Sequence, residues 1–434
     1  MLKILKLILL LFFIVSCSLN PNSKLWTKKN EIKKDKILKI RKINIKEKIL
    51  KNEVNTSLKI NIKNAKDENS YLQNFNNNNG KSNYDGKLRS ISKYKFSKIE
   101  NFYQYEPEIA VDKNNIIFFD NKGSILKFNN NSKLIWKKNH YSKTEKKLNP
   151  ILFFSNNAKY LVVADTIAKY YVMDIESGNL IWSKNNTSPF NSQIKIFRDK
   201  FYVVDSENIL RCFSLKNGKQ IWKFKTDKPF IKSQKKHSLV IKDNKIIFNN
   251  TLGDISAVDI NNGNLMWQTP TQNKDILSES MFLKISDLIV GDNAILFSNN
   301  DNGFFSIDTD SGIMNWKQKI NSNLRPTLVD NLIFTVTNEG YFVVIENETG
   351  NLIRSTNIFK NIKSKKRQKI KPIGFIVGKK NIYLTTSNGR LFVVDILTGT
   401  TKSILKIDNE KILRPIVLGQ NLFIVKDNSV IKLN

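Results

Sequence analysis

The sequence predicts an all-β fold: an eight-bladed β-propeller of four-stranded antiparallel blades, closed by an N-terminal strand and preceded by a flexible tether. Three observations predict it. One phrase recurs along the chain: a turn residue, an alternating apolar strand, Asp or Asn, a short polar turn with Gly, then Trp. Its Trp positions are roughly 38–49 residues apart, the spacing of four-strand propeller blades. Hairpins begin near Asn115, Lys159, Asp199, Asn244, Asn293, Asn331, Asn381 and Gln420, about eight units, and no stretch there keeps a helical period.

The chain opens with Lys3 and Lys6 before an apolar run, residues 7–15, too short to span a bilayer and laid out as a secretory signal. Ile14-Val15-Ser16-Cys17 resembles the bacterial lipobox. The resemblance implies a signal peptide over residues 1–16 and acyl chains, palmitate among them, on Cys17. More than one chain is needed for stable attachment, and a triacylated Cys supplies that. Ser18 after the Cys implies sorting to the outer membrane, on its periplasmic face. The alternative is a plain secretory signal with an incidental Cys.

Residues 17–89 are rich in Lys and Asn, poor in aromatics and low in complexity at 74–79, the composition of a disordered, solvated tether. As a coil it has a reach of roughly 45 Å. The propeller follows over residues 90–434. Its last unit lacks an outer strand, and residues 91–99 are expected to fill that slot, because an open sheet edge is a liability.

Within a blade the clearest copy runs from Gly253 to Trp267. Asp259 opens a turn where its carboxylate accepts backbone N–H groups, and Gly263 supplies a positive φ. Trp136, Trp182, Trp222, Trp267 and Trp316, one per blade, are expected to pack between neighbouring sheets. Arg354 and Ser403 hold that position in two blades and suggest looser junctions there.

The chain carries a formal charge of +33. Lysines are spread through every turn rather than clustered, so the charge points to acidic partners or anionic lipid, and no nucleic-acid partner is expected. Cys212 is left alone once Cys17 is lipidated and reads as a small buried residue. His140 and His237 have no metal-ligand spacing and read as surface loop residues. Asp174, Asp259, Asp308 and Asp395 repeat at one turn position, which makes them turn acceptors rather than an acid–base set. Asp120, Asp165 and Asp205 near inner hairpins are the remaining carboxylate candidates.

With these repeats and the lipobox, the chain resembles the BamB-like lipoprotein family of outer-membrane β-barrel assembly, built from PQQ-like repeats. The resemblance implies a non-enzymatic scaffold without cofactor that docks on the periplasmic domains of the central β-barrel assembly protein. It places docking in loops 228–238 and 276–288, with Phe230, Ile231, Lys232 and Asp287 as partner-binding residues. Ordinary solvated loops are the alternative for each. Nascent barrel proteins, adding strands to blade edges, are a further expected partner. The rival readings are a quinone (PQQ)-dependent dehydrogenase of the same fold and a propeller binding module of another envelope complex.

Overall fold

The structure is a computed structural model, and it describes residues 50, 52–58, 60, 62, 75–228, 235–272 and 283–434. The chain divides into residues 1–47 and 48–434, and every described residue belongs to the second unit. Cys17 and the signal lie outside the described residues.

The described residues form eight separate four-stranded antiparallel sheets, the blades. Seven are continuous in sequence: 110–138, 152–185, 190–225, 239–269, 289–318, 327–357 and 372–406. The eighth takes three strands from residues 416–433 and its outermost from Ser90–Lys95, which pairs antiparallel with Ser429–Leu433. The ring is therefore closed by an N-terminal strand, as the unfinished last repeat requires.

Burial explains the residue pattern. Middle strands such as Asn115–Phe119 and Tyr160–Asp165 are packed on both faces, and their interiors read as unbroken apolar runs. Outermost strands such as Leu265–Thr269 are half-solvated. In each of the seven continuous blades a bulge interrupts the pairing of third and fourth strands, directly beside the Trp position: Trp267 faces Ala257, and the register slips before Val258. A bulge bends the strand and re-aims its side chains, which here turns the indole toward the next blade.

The receiving surface is the Gly turn of that next blade. A Cβ on Gly263, at φ +75°, would lie 2.5 Å from the Trp222 ring. Gly218 meets Trp182, Gly312 meets Trp267 and Gly350 meets Trp316 in the same way. Trp182, Trp267 and Trp316 also donate their indole N–H to Leu215, Thr309 and Asn347 carbonyls in the neighbouring turn. At the seam of the ring Tyr94 takes this role: it is buried, and its hydroxyl donates to the Asn130 carbonyl of the first blade at 3.1 Å.

The blade carrying Arg354 is not loose. Arg354 is fully buried and donates to the carbonyls of Ile396 and Leu397, the place where an indole N–H would donate. Ser403 is exposed. Its neighbour is the eighth blade, whose third strand, Ser429–Leu433, pairs with Ser90–Lys95 rather than with a strand that follows it through a turn, so that junction has no Gly turn to receive a Trp.

Residues 75–89, assigned above to a solvated tether, pack on the ring. Phe75 and Asn76 carbonyls accept from Ile241 and Val290, and Asn78 bonds both backbone groups of Leu328. Ser82 bonds Val377, and Arg89 accepts from Asn434. The segment thus meets the inner strands of successive blades before reaching the closing strand. An innermost strand has one unpaired edge, and short amide side chains, both donor and acceptor, satisfy it. Residues 53–58 add to an outer edge instead: Val54 and Ser355 exchange both backbone hydrogen bonds, and Arg354 also donates to the Leu58 carbonyl.

Candidate functional site

Each inner strand starts on one face of the ring and ends in a tight turn on the other. Residues 75–79 bond near the turn ends, at Ile241, Val290 and Leu328. Above them is a cavity of about 860 Å³ on the ring axis, lined by residues before and along the inner strands, by Val425 of a second strand, and by Phe75, Asn77 and Asn79. The axis is therefore a cup, with the N-terminal segment across its base.

Its wall is charged. Arg325, just before the sixth blade's inner strand, reaches Asp287 from the fifth blade at 2.6 Å and Glu108 from the first at 2.9 Å. Lys236 bonds Glu108 at 3.0 Å, and Lys411 bonds Glu106 at 2.5 Å. At the base Asn77 is buried and donates to Gln193, Ser238 and the carbonyls of Leu239 and Leu288, while Lys195 donates to its oxygen at 2.6 Å. These bonds tie three blades to a single side chain.

The environment sets the charge states. Burial opposes the Asp287 and Glu108 carboxylates. The charges of Arg325 and Lys236 outweigh it and hold both below the usual carboxylate range. Burial, with Arg325 nearby, draws the Lys195 ammonium down to about 7. Burial also lowers the Lys235 ammonium. The Arg414 guanidinium is disfavoured by burial and by Arg325, but its intrinsic basicity keeps it charged at neutral pH.

Among the residues expected to bind partners, Asp287 is in the cup wall, 8% exposed and engaged by Arg325. Phe230, Ile231 and Lys232 lie outside the described residues. The carboxylates at inner hairpins do not converge. Asp120, Asp165 and Asp205 each bind turn amides in their own blade, as Asn250 and Asn299 do in theirs. Asp174, Asp259, Asp308 and Asp395 cap their turns likewise. His237 is buried rather than a surface residue, and burial lowers it to about 4. Burial pushes the Cys212 thiol up to about 12, so it is unreactive.

Glu108, Lys195, Arg325 and Arg414 carry no site role in the sequence reading. One signal was available. Leu324-Arg325-Pro326 and Leu413-Arg414-Pro415 repeat the same tripeptide before an inner strand, where Pro suits a strand's first position.

The family model of outer membrane protein assembly factor BamB matches residues 121–356, more than half of the chain. The chain belongs to this family. No curated protein sequence matches it. Among solved structures, BamB from Moraxella catarrhalis superposes with a TM-score of 0.67 at 14% identity, covering 80% of this chain and 99% of that one. A europium-containing methanol dehydrogenase gives 0.65 at 10% identity, over 83% of this chain and 90% of its own. A computationally designed protein, Ika8, gives 0.60 at 13% identity, over 80% and 99%. At these identities the likeness is one of fold, shared by a BamB, an enzyme and a design.

The dehydrogenase neighbours raise the question of a metal and quinone on the axis. The acids of the cup do not fit a metal. Glu106, Glu108 and Asp287 are each held by a cation, and among the described residues no three His, Cys, Asp or Glu side chains come together.

Proposed function

We propose that this BamB-family propeller is a non-catalytic scaffold of outer-membrane β-barrel assembly. Acyl chains on Cys17 moor it to the periplasmic face of the outer membrane, and one face of the ring docks on the periplasmic domains of the central assembly protein. The observation that carries this reading is the family match over blades one to six, on a closed ring whose axial acids are all engaged by cations.

The docking loops are 228–238 and 276–288. Lys235, Lys236 and Asp287, at the ends of these two loops, all line the cup. Phe230 and Ile231 supply an apolar anchor, and Lys232 frames it with charge, the composition of interface hot spots.

The test is affinity capture of the lipid-anchored protein from its own outer membranes. Recovery of the central assembly protein, reduced at least tenfold by Phe230→Ala with Ile231→Ala, supports the proposal. Consistent absence of that protein shifts the assignment to another envelope complex. Alcohol-dependent dye reduction after adding PQQ and calcium would make the chain an enzyme instead.

A further inference from the structure

The two Leu-Arg-Pro copies place two guanidinium groups on the cup, and their surroundings differ. Arg325 is satisfied by Asp287 and Glu108. Arg414 donates from Nε to the Phe375 carbonyl at 3.0 Å, yet its two terminal nitrogens, shielded from solvent, have no partner among the described residues. A guanidinium presents five donors in a rigid fork, and a native protein rarely leaves such buried donors unmet.

The charge count points the same way. Among the described lining residues seven are Lys or Arg and three are Asp or Glu. All three acids are already bonded, by Arg325, Lys236 and Lys411. The cup is thus cationic in excess, within walls where an opposite charge is felt strongly. Arg414, Lys195 and Arg325 all line this one cavity. At about 860 Å³ the space is that of a small-molecule site.

We propose that the axial cup binds a phosphate monoester, the Arg414 fork turning from its shielded position into the cavity to hold the phosphate. Phosphate fits better than a single carboxylate. It brings up to two charges and three acceptor oxygens to one point, so the Arg414 fork can engage two of those oxygens at once. The same headgroup can be free in solution or carried by a lipid. This site stands whether or not the ring docks on an assembly protein.

The test is calorimetric titration of the full-length protein with three probes. Glycerol 3-phosphate represents a free monoester, dihexanoyl phosphatidic acid below its micelle concentration represents a lipid headgroup, and citrate is the carboxylate control. The expected result is saturable binding of one or both phosphates, at least tenfold tighter than citrate. Arg414→Gln should abolish it. Arg414→Lys, which keeps the charge and loses the fork, should weaken it about tenfold with thermal unfolding unchanged. Preference for the free or the lipid probe identifies the source. No saturable binding, citrate binding as tightly as phosphate, or full affinity in a folded Arg414→Gln protein would overturn the proposal.

Discussion

At the scale of residues, the repeat position next to the bulge does two jobs: it fills the gap between blades and donates to a carbonyl of the next turn. Arg354 does both without an indole and adds a third, the bond to Leu58. Arg354→Ala should therefore cost about 2–4 kcal/mol, since it leaves carbonyls unmet in a buried seam, measured by urea denaturation. Arg354→Trp should restore most of that stability yet raise hydrogen exchange at Val54 and Ser355. Unchanged exchange there would show that the Arg does not hold residues 53–58. Asp165 offers a test in pH. Burial raises its carboxyl to about 6 although Tyr141 and two backbone amides bond it. Its folded pKa is above the unfolded one, so its contribution is fully present below about 4 and falls as pH rises through 6, by ~3 kcal/mol. His237 runs the other way: with a folded pKa near 4 against 6.5, its contribution is lost as pH falls through that window. Asn already stands at the Asp165 position in the fourth and fifth blades. Asp165→Asn should therefore gain stability relative to wild type at pH 7 and lose that advantage at pH 4. A difference that does not change with pH contradicts the assignment.

At the scale of elements, the segment across the base of the cup acts as a stitch. Asn77 joins Gln193, Ser238, Leu239 and Leu288, groups from three blades. Asn77→Ala leaves several buried partners unmet and should cost about 3 kcal/mol. A loss under 0.5 kcal/mol in chemical denaturation would mean the segment rests on the ring without holding it. The tight turns needed no structure to be understood, because Asp and Gly at fixed spacing encode them. The stitch was not legible for the opposite reason. A run of asparagines has the composition of a solvated chain, and only the unpaired edges of inner strands, contributed from far along the chain, give those amides partners.

At the scale of the whole molecule, closure decides whether the ring is one cooperative body. Ser90–Lys95 completes the eighth blade and Tyr94 locks it to the first. Truncation after residue 62 should leave a folded monomer. Truncation through residue 95 uncovers the edge of Ser429–Leu433 and should yield oligomers in light scattering, because a bare strand edge templates pairing. A monomeric, fully folded product of the longer truncation would remove closure from the account of stability. The cup belongs to this scale as well. Glu108 and Arg325 come from the first and sixth blades and meet only because the closed ring turns both toward its axis.

The sequence by itself determined the architecture: strand alternation, turn chemistry and the Trp spacing are local signals repeated often enough to count, and an incomplete last repeat implies a closing strand. Tertiary structure alone decided what the exceptions do. Arg354 at a Trp position, asparagines in a polar run and a second Leu-Arg-Pro acquire meaning from groups more than a hundred residues away or from a neighbouring blade. Local pattern encodes secondary structure because it acts over a few residues. Burial and charge pairing depend on which blades the closed ring sets face to face.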